Sequence, residues 1–118
     1  SGFGIALHLK NLLIRNKHFK GADIFLEKIL ILEGARKALR ENVISSLNNT
    51  NKSSINNDLD IVSKNKKNLN ILFDPQTAGG FIFITSNKNE ICSDLKKNNI
   101  TFSDIGNISY NHNKIRVL

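Results

Sequence analysis

Two short stretches hold most of the residues that could do chemistry. The first is FDPQTAGGFIFIT, residues 73–85. Asp74 can accept hydrogen bonds from the amides that follow it. Pro75, the single proline, is preset for a first helical position, where a missing N–H costs nothing. Thr77 adds a hydroxyl, and Gly79 and Gly80 let the backbone approach a neighbour closely or adopt positive φ. Free amides and a hydroxyl together can hold an anion such as a phosphate. The same residues also suit a plain turn between two strands, so local chemistry leaves both readings open. The second stretch is Ser1, Gly2, Phe3 and Gly4. Glycines ahead of a helix expose its N-terminal amides, which favour negative charge. It is not a dinucleotide fingerprint, because the third glycine is absent and no strand precedes it.

Other reactive residue types offer less. His8 falls one helical turn after Gly4 and reads as a hydrogen-bonded structural histidine, whereas His18 and His112 are isolated and receive no assignment. No nucleophile and base pair, no carboxylate dyad and no P-loop lysine stands out. The one cysteine, Cys92, excludes an internal disulfide and a multi-cysteine metal site. It reads as a small apolar residue on a helix and fits a reducing cytoplasm.

The elements that must position these residues follow from hydrophobic spacing. Residues 3–17 are predicted helical, with Ile5, Leu9, Leu12 and Leu13 on one face. A short strand is expected at 22–26, and a helix of good formers at 35–40. The tract 42–70 is dominated by Asn, Ser and Lys, and its centre at 48–68 is expected to be a flexible polar loop. Ile55, Leu59 and Val62 keep helical spacing within it. Strands are predicted at 69–73 and 81–85; the second is apolar at every position from 81 to 84, which implies a central strand buried on both faces. A helix should run from Asn87 to Asn98 or Asn99, where Asn tolerates a left-handed cap. Residues 105–110 and 114–118 flank Asn111, His112 and Asn113 as a closing hairpin. Helices thus alternate with strands, and the fold class is α/β (α+β), a mixed sheet with helices packed on it.

With 118 residues, one domain with a sizeable core is expected. Hydrophobic residues make up 40%, and no apolar run approaches the roughly 20 residues of a membrane span, so no membrane is expected. The start lacks a basic leader, and the absence of any Met suggests a piece of something longer. The net charge is +7, but the lysines are scattered among asparagines and isoleucines without a dense stripe. A chain-wide Lys/Asn/Ile bias explains that charge, and no nucleic-acid partner is expected.

One resemblance goes further. LFDPQTAGG at 72–80 resembles the signature of the carboxy-terminal domain of selenophosphate synthetase (selenide, water dikinase), of the aminoimidazole-ribonucleotide (AIR)-synthetase-like superfamily. GFG at 2–4 with HL at 8–9 is similar to that family's TGFGLLGHL helix start, with Ser1 in the threonine's place. SSL at 45–47, Asn51 four residues on, and IG at 105–106 fall in the expected order. Alanine at 78 looks closest to the branch fused to a pyridine-nucleotide oxidoreductase. Ala6 and Leu7 depart from the family's leucine and glycine, and the tract at 48–68 is more Asn-rich than its norm.

The resemblance implies that residues 1–118 are the single C-terminal AIR-synthetase-like domain of a larger two-domain cytoplasmic enzyme. That enzyme makes selenophosphate, AMP and phosphate from selenide, ATP and water. ATP and Mg²⁺ are implied for the full-length enzyme, with neither bound by the fragment alone. The missing N-terminal ATP-binding domain would be the partner, and the full-length protein a homodimer. No catalytic residue and no metal ligand is implied in the fragment, which would be inactive alone. Gly2, Gly4, Asp74, Thr77, Gly79 and Gly80 would help close the nucleotide and phosphate site. The alternatives are another ATP-using enzyme domain of that superfamily, or a non-catalytic binding or dimerisation module with the same fold.

Overall fold

The computed structural model describes residues 2–64 and 66–118, the side chains of Lys66 and Lys67 excepted. Ser1, matched above to a family threonine, lies outside them. Helices α1 (Gly4–Arg15), α2 (Glu33–Arg40), α3 (Asn48–Ile55) and α4 (Lys88–Lys97) accompany strands β1 (Gly21–Ile24), β2 (Leu59–Ile61), β3 (Gly106–Ser109) and β4 (Ile115–Val117). The strands form one mixed sheet in the order β2-β4-β1-β3, an α/β fold. β1 runs parallel to β4 and antiparallel to β3, and β2 runs parallel to β4.

Strand alternation gives the sheet two faces of different chemistry. Ala22 and Ile24 of β1 and Ile115 and Val117 of β4 are buried. They pack with Ala6, Leu9 and Leu13 of α1, with Ile55, and with Leu69, Leu72 and Phe73 as one core. On the other face the register aligns Asp23, Arg116 and Asp60 across three strands. Arg116 Nε lies 3.7 Å from Asp23 and 3.9 Å from Asp60, and His112 Nε2 is 3.1 Å from Asp23.

Four expectations change. Residues 69–73 are not a strand: Lys66–Phe73 is a 3₁₀ segment lying against α1, α2 and α3. Its main contacts are with those helices, and it joins no ladder of the described sheet. Residues 81–85 form no strand either, and Phe81 and Phe83 are 86% and 66% exposed. Ile82 and Ile84 alone turn inward to the core, so an unbroken apolar run concealed a one-sided alternation. The loop at 74–80 therefore follows a 3₁₀ segment, no helix begins at Pro75, and no pair of buried strands flanks it.

The closing hairpin is also replaced. β1 inserts between β3 and β4, so the two final strands never pair with each other. Local turn residues carried the hairpin prediction, but a long-range parallel pairing with β1 occupies the edge of β4. Finally, the tract 48–68 carries α3, a 3₁₀ turn at Asn56–Asp58 and β2 in place of a polar loop. Its polar side chains bond back to their own helix: Ser53 Oγ donates to Asn49 O and Ser54 Oγ to Thr50 O, each at 2.9 Å. Ile55 is fully buried and anchors the tract to the core.

Candidate functional site

The two glycine-bearing stretches meet at one corner, where α1 begins. Gly4, the first residue of α1, has φ +75°, a region that side-chain-bearing residues rarely adopt. A Cβ at Gly4 would lie 2.7 Å from Leu72 O and 2.8 Å from the Phe73 carbonyl carbon. The helix start is thus seated directly on the backbone that leads into the 74–80 loop. Gly2 faces the same loop: a Cβ there would come 4.0 Å from Pro75 Cβ and 3.8 Å from Leu47 Cδ1.

Asn51 of α3 fastens the two stretches. Its Nδ2 donates to Gly2 O at 2.7 Å and to Phe73 O at 2.9 Å, and the residue is only 6% exposed. One turn earlier, Asn48 is 1% exposed and donates from Nδ2 to Asn70 O at 2.8 Å. Buried amides are kept where they satisfy backbone carbonyls that have no secondary-structure partner. The i, i+3 spacing of Asn48 and Asn51 places both on one face of α3. That spacing was the available signal, and composition masked it because asparagine is abundant throughout the tract. Lys52 adds a cation 6.0 Å from the Phe73 ring centroid.

Beyond Pro75 the loop leaves this contact. Thr77, Gly79 and Gly80 are exposed. Among the described residues only Gly4 is a positive-φ glycine, so Gly79 and Gly80 are not required by backbone strain. A Cβ at Gly80 would meet nothing within 4 Å, and one at Gly79 would approach only Gln76 Oε1, at 3.2 Å. Space above this backbone is open to an incoming group. Asp74 was expected to cap the following amides. Its carboxylate instead accepts Gln76 Nε2–H at 2.8 Å, a bond between side chains across the turn. His8 sits near the helix start with its ring 6.4 Å from that of Phe3, edge to face. Cys92 lies half-buried on α4.

Chemically, the corner offers main-chain donors without a nucleophile. The first amides of α1 have no intrahelical acceptor, but Gly4 and Ala6 are buried there, so the exposed backbone at 77–80 is the more open part of the corner. Such an arrangement can stabilise negative charge, and it cannot by itself break a bond. Among the described residues no three His, Cys, Asp or Glu side chains converge to hold a metal ion. No helix among them is long and apolar enough to cross a membrane.

Fold and corner together define an α/β domain in which one asparagine locks two glycine-bearing stretches side by side. Comparison with known proteins adds one relative. The chain is 33% identical over 91 residues to a selenide, water dikinase of Campylobacter jejuni (strain RM1221). Those residues are 77% of this chain and 25% of that protein, so the chain spans about a quarter of the length of the curated relative it matches. No family model matches the chain.

Proposed function

We propose that this chain is the carboxy-terminal domain of an ATP-dependent selenophosphate synthetase and helps to close its nucleotide and phosphate site. The observation that carries the reading is the Asn51 clamp. It joins Gly2 O to Phe73 O, so the helix start and the root of the 74–80 loop are held side by side at one corner. The similarity to a selenide, water dikinase supports it. In this reading ATP supplies the phosphoryl groups, and Mg²⁺ is held by the other domain and offsets their charge. Phosphoryl transfer is catalysed chiefly by positioning and by neutralising charge on the phosphoryl oxygens. Backbone donors at Gly2 and residues 77–80 would suit that task, whereas Gly4, expected to join them, is buried and seats the helix start on the Leu72–Phe73 backbone. Thr77 adds a hydroxyl donor. Asp74, tied to Gln76, keeps a carboxylate at the rim, where it would accept from a sugar hydroxyl rather than face a phosphate directly. The fragment alone makes no selenophosphate.

The test replaces Thr77 and Gly79 with alanine in the full-length enzyme. Turnover should fall while the melting temperature holds. A loss of turnover that only tracks lost folding stability would reduce the loop to a structural turn. The second reading is a non-catalytic binding or dimerisation module of the same fold. The exposed rings of Phe81 and Phe83, 6.3 Å apart, favour it. Full-length protein that fails to restore selenium assimilation to a deficient strain, yet self-associates through these rings, would establish that alternative.

A further inference from the structure

The far end of α1 lines a groove of about 240 Å³. By the helical rise, its α1 residues Lys10, Leu13 and Ile14 lie about 9 to 15 Å along the axis from Gly4, away from the corner described above. Buried Leu13 and Ile115, with half-buried Phe19, give the groove an apolar floor. Three lysines reach its lip, and Asp58 is the one carboxylate lining it. Asp58 pairs with Lys10 at 2.5 Å, so these two charges largely cancel. Lys17 and Lys20 are exposed, and their ammonium groups make no ion pair among the described residues. Two lysines with no ion pair among the described residues therefore line a groove with an apolar floor.

The end of α1 opposes this field with a partial charge of about −0.5, which two ammonium groups outweigh. Each half of the groove selects part of a ligand. A small inorganic anion would meet the lysines and leave the floor wet. A neutral aromatic would cover the floor and gain nothing from the lysines. A flat apolar body bearing one anionic group uses both. We propose that this groove is a binding site for small aromatic anions, of the class represented by an aryl phosphate or aryl carboxylate. The site is independent of the selenophosphate reading and would exist in a module with no catalytic role.

The experiment titrates the ¹⁵N-labelled chain with phenyl phosphate at low ionic strength. Saturable amide shifts should cluster at residues 13–20 and 113–115. Changing Lys17→Gln and Lys20→Gln together should weaken binding by about tenfold. Changing Lys64→Gln and Lys96→Gln together removes the same total charge elsewhere, and should alter it by no more than about twofold. Ile14→Ser, at the exposed rim, should weaken phenyl phosphate and leave inorganic phosphate unaffected. The proposal is overturned by an absence of saturable shifts, or by equal losses in the two lysine pairs. It is likewise overturned if inorganic phosphate or benzyl alcohol binds as tightly as phenyl phosphate.

Discussion

A single side-chain amide, that of Asn51, bridges two carbonyls 71 residues apart in the sequence, Gly2 O and Phe73 O. Removing it strands one buried acceptor, Phe73 O, and one partly buried acceptor, Gly2 O. Asn51→Ala should therefore cost about 1–3 kcal/mol, read as a lowered midpoint in urea. Asn51→Asp should cost more, because a carboxylate donates nothing to either oxygen and brings a charge into the junction. Equal stability of both variants would show that the clamp is incidental. Glycines give a paired test. Gly4→Ala puts a Cβ 2.7 Å from Leu72 O at φ +75°, and should lose at least about 1–2 kcal/mol. Gly34→Ala in α2 meets nothing within 4 Å and should gain about 0.5–1 kcal/mol from helix propensity. Thermal melts of the two variants should move in opposite directions. Sequence motifs found Gly4 and Asn51, but not why they matter together. The spacing along the chain holds no trace of their contact.

At the scale of elements, the reading succeeded where a signal was local and periodic. Residues 4–15, 33–40 and 88–97 are helices because their own spacing makes them so. Asn99 closes α4 with φ 54°, while Ile100 N donates to Leu95 O at 2.9 Å, as a left-handed cap requires. Failure came where a distant partner decides. Residues 69–73 are apolar enough for a strand but are claimed by three helices, and β1 separates two strands that turn residues would have paired. One ion pair, between α4 and the residues before β3, has a definite pH dependence. Lys88, at the start of α4, sits 2.5 Å from Asp104, just before β3. The hydrogen bond between them, and then their mutual attraction, raises the Lys88 pKa above its ordinary value. The same hydrogen bond from Lys88 is the main reason that Asp104 titrates below the usual carboxylate range. The lowered carboxylate adds stability that is full above its unfolded pKa and is lost as pH falls through the folded value. The raised lysine adds stability that is full below its unfolded pKa and is lost as pH rises through the folded value. The stability gap between wild type and Asp104→Asn should thus be widest between those limits, near neutrality, and should close in acid. A gap independent of pH from neutrality into acid would contradict the pairing.

At the scale of the whole molecule, the two proposed sites lie toward opposite ends of α1. One end joins the two glycine-bearing stretches, and the other opens into the cationic groove. The +7 charge, legible at once from composition, did not reveal that two lysines gather over an apolar floor. Nor did it reveal that Phe81 and Phe83 stand outward, because burial is a property of the assembled core. The relative it matches is about four times the span aligned here. The central claim is that the uncovered backbone at 77–80 receives a nucleotide phosphate. Gly80 offers the sharpest probe, since a Cβ there touches nothing within 4 Å among the described residues. Gly80→Val in the full-length enzyme should keep the wild-type melting temperature and lower selenophosphate formation by at least about tenfold, through steric exclusion of the phosphate. Wild-type turnover in a folded Gly80→Val enzyme would contradict the account.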